Sequence, residues 1–237
     1  MRSHPAPIRL PVLRVATYNV RDFLDDRAAA ARVVRSIAPD VLCLQEVPRR
    51  LTTEFRLPAF ARECGLFWSG GRLGSGGTAV LTALGTRVHA ASTGRLRVRF
   101  PDRSRGYAAV AVSLPGAEPL TVVSVHLGLR AAERAAHARD LAGHVGPRAV
   151  VAGDLNELAD GAAYQAIADR WRRVSEDRPT YPAERPSRTL DVIFAGADLQ
   201  PVSTGGPVDL DDAVAASDHL PVWVDLRLGP PAGSHLP

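Results

Sequence analysis

Short, β-branched apolar runs that stop or start at a polar residue recur along this chain, and they limit what it can fold into. Val-Ala-Thr-Tyr runs into Asn19, and Val-Leu-Cys-Leu runs into Gln45 and Glu46. Val-Val-Ser-Val runs into His126, and Val-Val-Ala-Gly runs into Asp154, with Asn156 two residues on. Two later runs carry their polar residues at the start: Asp191 before Val-Ile-Phe, and Ser217, Asp218 and His219 before Leu-Pro-Val-Trp. Runs of this length and composition read as strands. If the last two lie antiparallel to the others, all six polar clusters meet at one edge of the sheets.

The strand candidates are Val12–Tyr18, Val41–Leu44, Thr78–Leu84, Tyr107–Ser113, Leu120–Val125, Ala149–Ala152, Leu190–Phe194 and Leu220–Leu226. Helical spacing predicts Asp26–Ile37, Arg130–His144 and Asp160–Arg170, the first with Asp25 or Asp26 as N-cap and Pro39 just past its end. Consecutive strands with no helix between residues 78 and 125 argue against a purely doubly wound sheet. Two sheets packed together with the helices outside them fit better. The fold class is therefore α+β. One domain is expected over 12–228, with 1–11 and 229–237 as flexible tails.

Composition removes several function classes. Hydrophobic residues make up 46% of the 237 and charged residues 23%, which is globular and not fibrous or disordered. All 29 basic residues are arginine, so Schiff-base chemistry and a lysine-dependent P-loop are excluded. The formal charge of +4 comes with abundant alanine and a single methionine, a bias that GC-rich coding also produces, so it does not by itself mark a nucleic-acid binder. No stretch approaches the ~18 apolar residues of a membrane span. The N-terminal MRSHPAPIRLP lacks the apolar core of a signal peptide, so the expected location is cytoplasmic. Cys43 and Cys64 are too few for a disulfide framework.

Taken singly, each polar residue at a run's end is what any strand terminus looks like. Together their chemistry is coherent. Glu46, Asp154, Asp191 and Asp218 brought close would repel one another, and a divalent cation removes that conflict. Hard oxygen ligands suit Mg²⁺ or Mn²⁺. With His126, His219 and the amides of Asn19 and Asn156 beside them, the set points to metal-assisted phosphoester hydrolysis.

The segments TYNV (17–20), LQEV (44–47), SVHL (124–127), GDLN (153–156), TLDVIF (189–194) and SDHLP (217–221) resemble, in order, those of the endonuclease/exonuclease/phosphatase superfamily related to DNase I. The resemblance implies a four-layer αββα sandwich, two mainly antiparallel sheets face to face with the active site at one end. It implies Glu46 as principal metal ligand with Asn19 beside it, and Asp218 as a further metal-side carboxylate. Asp154 and Asn156 match the pair that orients or activates the attacking water. Asp191 resembles the partner of His219, and His219 and His126 resemble the contacts to the phosphoryl oxygens. Arg105 and Arg188 resemble substrate-phosphate arginines. Ser217, inside SDHLP, reads as structural.

Some relatives carry an acid two positions after the asparagine, where this chain has Arg21, so one ion is expected. Asp22 follows, and strand alternation would turn it to the other face. A monomer acting on a nucleic-acid phosphodiester is the leading reading, with a small phosphoester or lipid headgroup as the alternative substrate. Arg95, Arg97, Arg99, Arg103 and Arg105, and separately Arg170, Arg172 and Arg173, favour nucleic acid if they flank the site. A non-catalytic scaffold would break Glu46, GDLN or SDHLP, and all three are intact.

Overall fold

The computed structural model describes residues 10–48, 53–71, 74–206 and 208–229. In chain order these form β1 (Val12–Asn19), α1 (Arg27–Ile37), β2 (Val41–Gln45), α2 (Thr53–Cys64), β3 (Phe67–Gly70) and β4 (Ala79–Thr82). There follow β5 (Arg87–Leu96), β6 (Arg105–Ser113), β7 (Leu120–His126), α3 (Ala131–His144) and β8 (Ala149–Asp154). The chain ends with α4 (Ala162–Ala168), β9 (Arg172–Arg173), β10 (Asp191–Ala195), β11 (Leu199–Thr204), α5 (Leu210–Ala216) and β12 (Val222–Leu228).

The period-two alternation of the strands sorts their side chains between layers. In β1, Leu13 and Val15 face one apolar layer, and Ala16 and Tyr18 face another. In β2, Val41 and Cys43 oppose Leu42 and Leu44. In β8 and β10, Val150, Ala152, Ile193 and Ala195 share the first layer, while Val151, Val192 and Phe194 turn away from it. That shared layer lies between two six-stranded sheets, ordered β11-β12-β1-β2-β4-β3 and β5-β6-β7-β8-β10-β9. Helices α1, α2 and α5 cover the outer face of the first sheet, and α3 and α4 cover the second. This is the four-layer sandwich expected above. Among the described residues only β1–β2 and β7–β8 are parallel, and each pair is joined through a helix, as a parallel crossover requires. No helix among the described residues is long and apolar enough to cross a membrane.

Toward one end of the inter-sheet layer the same inward positions turn polar. Thr17, Gln45 and Ser124 are buried there and hydrogen-bonded in a chain, Thr17 Oγ1 to Gln45 Oε1 at 3.1 Å and Gln45 Nε2 to Ser124 Oγ at 3.0 Å. Beyond them come Asn19, His126, Asp154 and Asp191. β10 is antiparallel to β8 with Asp191 opposite Asp154, and β12 is antiparallel to β1, so the polar starts of the late strands do meet the polar ends of the early ones.

The α1 cap is Asp26, whose side chain accepts from Ala28 N at 2.8 Å and Ala29 N at 3.0 Å. Of the expected tails, Pro11 and Gly229 are tied down: Pro11 O accepts from Leu228 N, and Gly229 N donates to Asp198 O. Residues 1–9 and 230–237 lie outside the described ones. Cys43 and Cys64 are free and buried, and burial pushes the Cys43 thiol up, out of the reactive range.

Gly153, between Ala152 and Asp154, lets β7 and β8 approach: a Cβ there would stand 1.9 Å from the Val125 carbonyl oxygen. Gly153→Ala is therefore expected to push the strands apart and destabilise the fold by ~3 kcal/mol or more. Denaturant unfolding measures this, and a variant as stable as the parent would refute the close-approach account.

Candidate active site

Asp154 ends β8 with 1% of its surface exposed. Its Oδ2 accepts from Asn19 Nδ2 at 3.1 Å and its Oδ1 from the backbone N–H of Asn156 at 2.8 Å. His126 Nε2 lies 3.4 Å from Oδ2, and His219 Nε2 lies 3.8 Å away. Burial, with the charge of Asp191, pushes the Asp154 carboxyl up to about 6, although His219 and the two hydrogen bonds work the other way.

Asp191, the first residue of β10, holds His219. Its Oδ2 accepts from His219 Nδ1 at 2.8 Å and from Thr180 Oγ1 at 2.6 Å. Burial disfavours a charged His219, but the charge and hydrogen bond of Asp191, with Asp154 and Asp218, outweigh it and raise the imidazole to about 10. The ring lies 4.8 Å from that of Tyr181. His219 is thus an imidazolium with Nδ1–H on Asp191 and Nε2–H turned toward Asp154. Asp154, Asp191 and His219 lie close enough to one another to enclose an ion. The Nδ1–Oδ2 hydrogen bond occupies one atom of each partner and pairs Asp191 and His219 as acid and base.

Glu46 sits one residue past β2, where alternation alone would turn it away from Gln45. Its φ of 51° kinks the backbone and brings the side chain back to the cleft, with Oε1 3.9 Å from His126 Nε2. Asn156 has the same left-handed backbone, φ 51°, and its Nδ2 donates to Leu127 O at 3.1 Å while facing His126 Nε2 at 3.0 Å. Five of the six positive-φ residues other than glycine among the described residues lie at this edge: Arg21, Asp22, Phe23, Glu46 and Asn156. Such conformations cost about 1–3 kcal/mol each and persist where surrounding structure holds them.

The donor set suits a hard divalent cation. Glu46 makes only long ion pairs among the described residues, the one to His126 and another at 3.8 Å to Arg103 Nη1, so its oxygens are available. Asn19 Oδ1 accepts one backbone hydrogen bond, from Arg21 N at 3.1 Å, and keeps a second lone pair.

The other expected residues divide. Arg105 is buried beneath the turn at Gly76, where a Cβ would strike the Arg105 backbone at 2.1 Å. Its Nε donates to Leu127 O at 3.0 Å, its Nη1 is buried without a hydrogen-bond partner, and burial lowers its pKa against the pull of Glu46 and Asp154. Asp218 is half-buried and meets Arg21 Nε at 3.7 Å. Ser217 Oγ donates to Asn19 O at 2.6 Å and accepts from His219 N, which uses the hydroxyl in fixing the backbone. Arg188 joins the cluster only through its backbone, paired with Tyr181, and its side chain is exposed.

Asp22 departs from expectation. β1 ends at Asn19, so strand alternation no longer applies, and a left-handed turn over Arg21–Phe23 sets the Asp22 N–H on Glu46 O at 2.6 Å. Its carboxylate pairs with Arg103 at 2.7 Å, at the rim of the site. Arg170, Arg172 and Arg173 do not flank the site: Arg172 and Arg173 pair with Ala195 and Phe194, at the end of β10 away from Asp191. The sequence reading missed Thr180 as the second holder of Asp191. The signal available was its place at the head of the Thr-Tyr-Pro-Ala run.

The family model of the Endonuclease/Exonuclease/phosphatase family matches residues 16–219. A search of curated proteins finds no match. Among solved structures, an endonuclease/exonuclease/phosphatase from Beutenbergia cavernae is 24% identical with a TM-score of 0.71, over 92% of this chain and 72% of that one. The human nocturnin catalytic domain, with bound sulfate, is 18% identical with a TM-score of 0.72, over 93% and 95% of the two chains. ANGEL2, a 2',3'-cyclic phosphatase in complex with adenosine-2',3'-vanadate, is 15% identical with a TM-score of 0.72, over 93% and 97%. At these identities the likeness is one of fold.

The Asp191 pairing has a pH signature. Its stabilising contribution is complete below the ordinary histidine pKa of ~6.5 and disappears as pH rises through about 10. In metal-free protein, ¹⁵N NMR is expected to show His219 as imidazolium from pH 6.5 to beyond pH 9, and Asp191→Asn to bring its titration down toward the ordinary value. A wild-type midpoint near the ordinary value would contradict the pairing.

Proposed function

The chain belongs to the endonuclease/exonuclease/phosphatase family of phosphoesterases, and from that premise we propose that it is a divalent-metal-dependent phosphodiesterase of nuclease type, carried by one catalytic domain over 12–228. The observation that carries the reading is the convergence on Asp154 of Asn19, Asn156, His126 and His219, with Glu46 open beside them.

Glu46 and Asn19 Oδ1 would hold Mg²⁺ or Mn²⁺. When bound, such an ion supplies Lewis-acid charge to a phosphoryl oxygen. The remaining roles fall to the chain's own groups. His219, kept protonated by Asp191, presents Nε2–H to a phosphoryl oxygen and stabilises the charge that grows in the transition state. Asp191 fixes the ring's tautomer and orientation. Asp154, an acceptor with a raised pKa, orients a water for in-line attack and is suited to take its proton. Asn156 holds His126 and the phosphate side of the cleft. Arg105 contributes a buried guanidinium with a free N–H, a group whose desolvation a phosphate would offset. Arg21 stands two positions after Asn19, where a second ion would need an acid, and its charge pairs with Asp218, which favours one ion. A diester of a nucleic acid is favoured as substrate because Arg103 lies at the site's edge, paired with Asp22 and 3.8 Å from Glu46.

Hydrolysis of bis-p-nitrophenyl phosphate with Mn²⁺ tests the reading. Glu46→Ala and Asp154→Ala are expected to lower kcat/KM by about 100-fold or more while circular dichroism and melting show a folded chain. Activity that needs no metal, or that survives both changes, would refute it. Metal titration by calorimetry should give one Mn²⁺ per chain in the wild type and a second site in Arg21→Glu. Two ions bound by the wild type would overturn the Arg21 argument.

A further inference from the structure

Residues 97–104, which join β5 to β6, are fastened at their base to the start of α3. His137 Nδ1 accepts from Gly128 N at 3.2 Å, so its Nε2 carries the proton and donates to Arg97 O at 2.6 Å. Glu133 Oε1 accepts from Arg99 N at 2.9 Å, and Arg130 Nε pairs with Asp102 at 2.9 Å. Asp102 N closes a turn on Arg99 O. Phe100 and Arg103 are among the side chains the clamp leaves exposed. Phe100, in the turn, is 92% exposed. Arg103, with a side chain 60% exposed, reaches over the site to Asp22 Oδ2 at 2.7 Å and Glu46 Oε2 at 3.8 Å.

An aromatic ring projected into water from a fastened loop packs little against the described residues of its own chain. An exposed ion pair holds Arg103 weakly, and a cation on Glu46 would compete with it there. A phosphate, by contrast, matches the guanidinium fork in charge and shape. Arg95, on edge strand β5, and Arg97 and Arg99, in the loop after it, are exposed, so the chain leading to Arg103 carries positive charge at the surface.

Resting on the phosphodiesterase reading above, we propose that this loop is the recognition lip for single-stranded nucleic acid: Arg103 exchanges Asp22 and Glu46 for a phosphate beside the scissile one, and Phe100 stacks on an unpaired base. A basic track joined to an aromatic platform is what such strands require, and the stacking faces of a duplex are closed. An anionic lipid surface would also attract the arginines. Binding to it scales with inserted apolar area, and the lip offers Phe100 with Leu129, 61% exposed, nearby.

The test is fluorescence anisotropy of a labelled single-stranded oligonucleotide over a range of salt. It is run in the Asp154→Ala background with Mg²⁺, so that the strand is held and not cut. Phe100→Ala is expected to weaken binding by about tenfold with the salt slope unchanged. Arg103→Ala is expected to lower the slope of log K against log salt by about 0.7, the loss of one phosphate contact, and Arg103→Lys to restore it. Melting temperatures should match the background's, since both side chains are exposed. No binding by the background protein, equal binding by the variants, or Phe100-dependent capture by anionic vesicles without oligonucleotide binding would each overturn the proposal. Turnover of bis-p-nitrophenyl phosphate by the wild type separates the two failures. If turnover is absent, the phosphodiesterase reading fails; if it is present while the variants bind unchanged, the lip alone fails.

Discussion

A carboxylate withdrawn from water has to be held by its neighbours, because leaving it charged and unpaired costs several kcal/mol. Asp154 meets that demand with groups from distant parts of the chain: Asn19 ends β1, His126 ends β7, and His219 precedes β12. These groups come from both sheets, so they meet only because the sheets face each other across the layer of Val15, Cys43, Val122 and Ala152. The apolar packing that makes the fold and the polar contacts that make the site are one set of inward positions, read from opposite ends.

That continuity explains what could be read from the sequence. Runs such as Val150–Ala152 into Asp154 announce both a buried strand and its functional end, and the interior strands were legible for that reason. The four strands that went unread, β3, β5, β9 and β11, are the four sheet edges. β5 is exposed almost throughout, so it shows no apolar alternation, and arginine, histidine, serine and threonine occupy it instead. Helix α2 carries Pro58 in its interior, and α5 is short and acidic at its start, so neither displays a clear helical signal. Within the site, residues ending straight strands were legible. The pairing of Asp22 with Arg103 was not, because the two meet through a left-handed turn and a loop whose geometry no periodicity reports.

The arginine excess also resolves into separate populations. At the far end of the second sheet, Arg170 donates to Val145 O, Arg172 to Leu199 O, and Arg173 pairs with Asp177, so these guanidinium groups are spent on holding backbone and neighbours. Arg14 is likewise paired to Asp225 across β1 and β12. Around the acid cluster the balance differs, for Arg21 and Arg103 each share a carboxylate of the site with one outside it. A net charge cannot express this difference, since it counts structural and site arginines alike.

The shared inward parity has a consequence for how such a protein can change. Adding or deleting one residue inside β8 would exchange the faces, sending the Asp154 carboxylate into the helix layer of Leu141 and Ile167 and turning position 153 toward the other sheet. The same holds for the end of β7, where His126 would change places with Val125. Substitutions along these strands can be absorbed one at a time, and loops such as 97–104 can lengthen or shorten. The strands themselves are counted lengths, so a one-residue change inside them would displace the polar ends while a change of length in a connection need not.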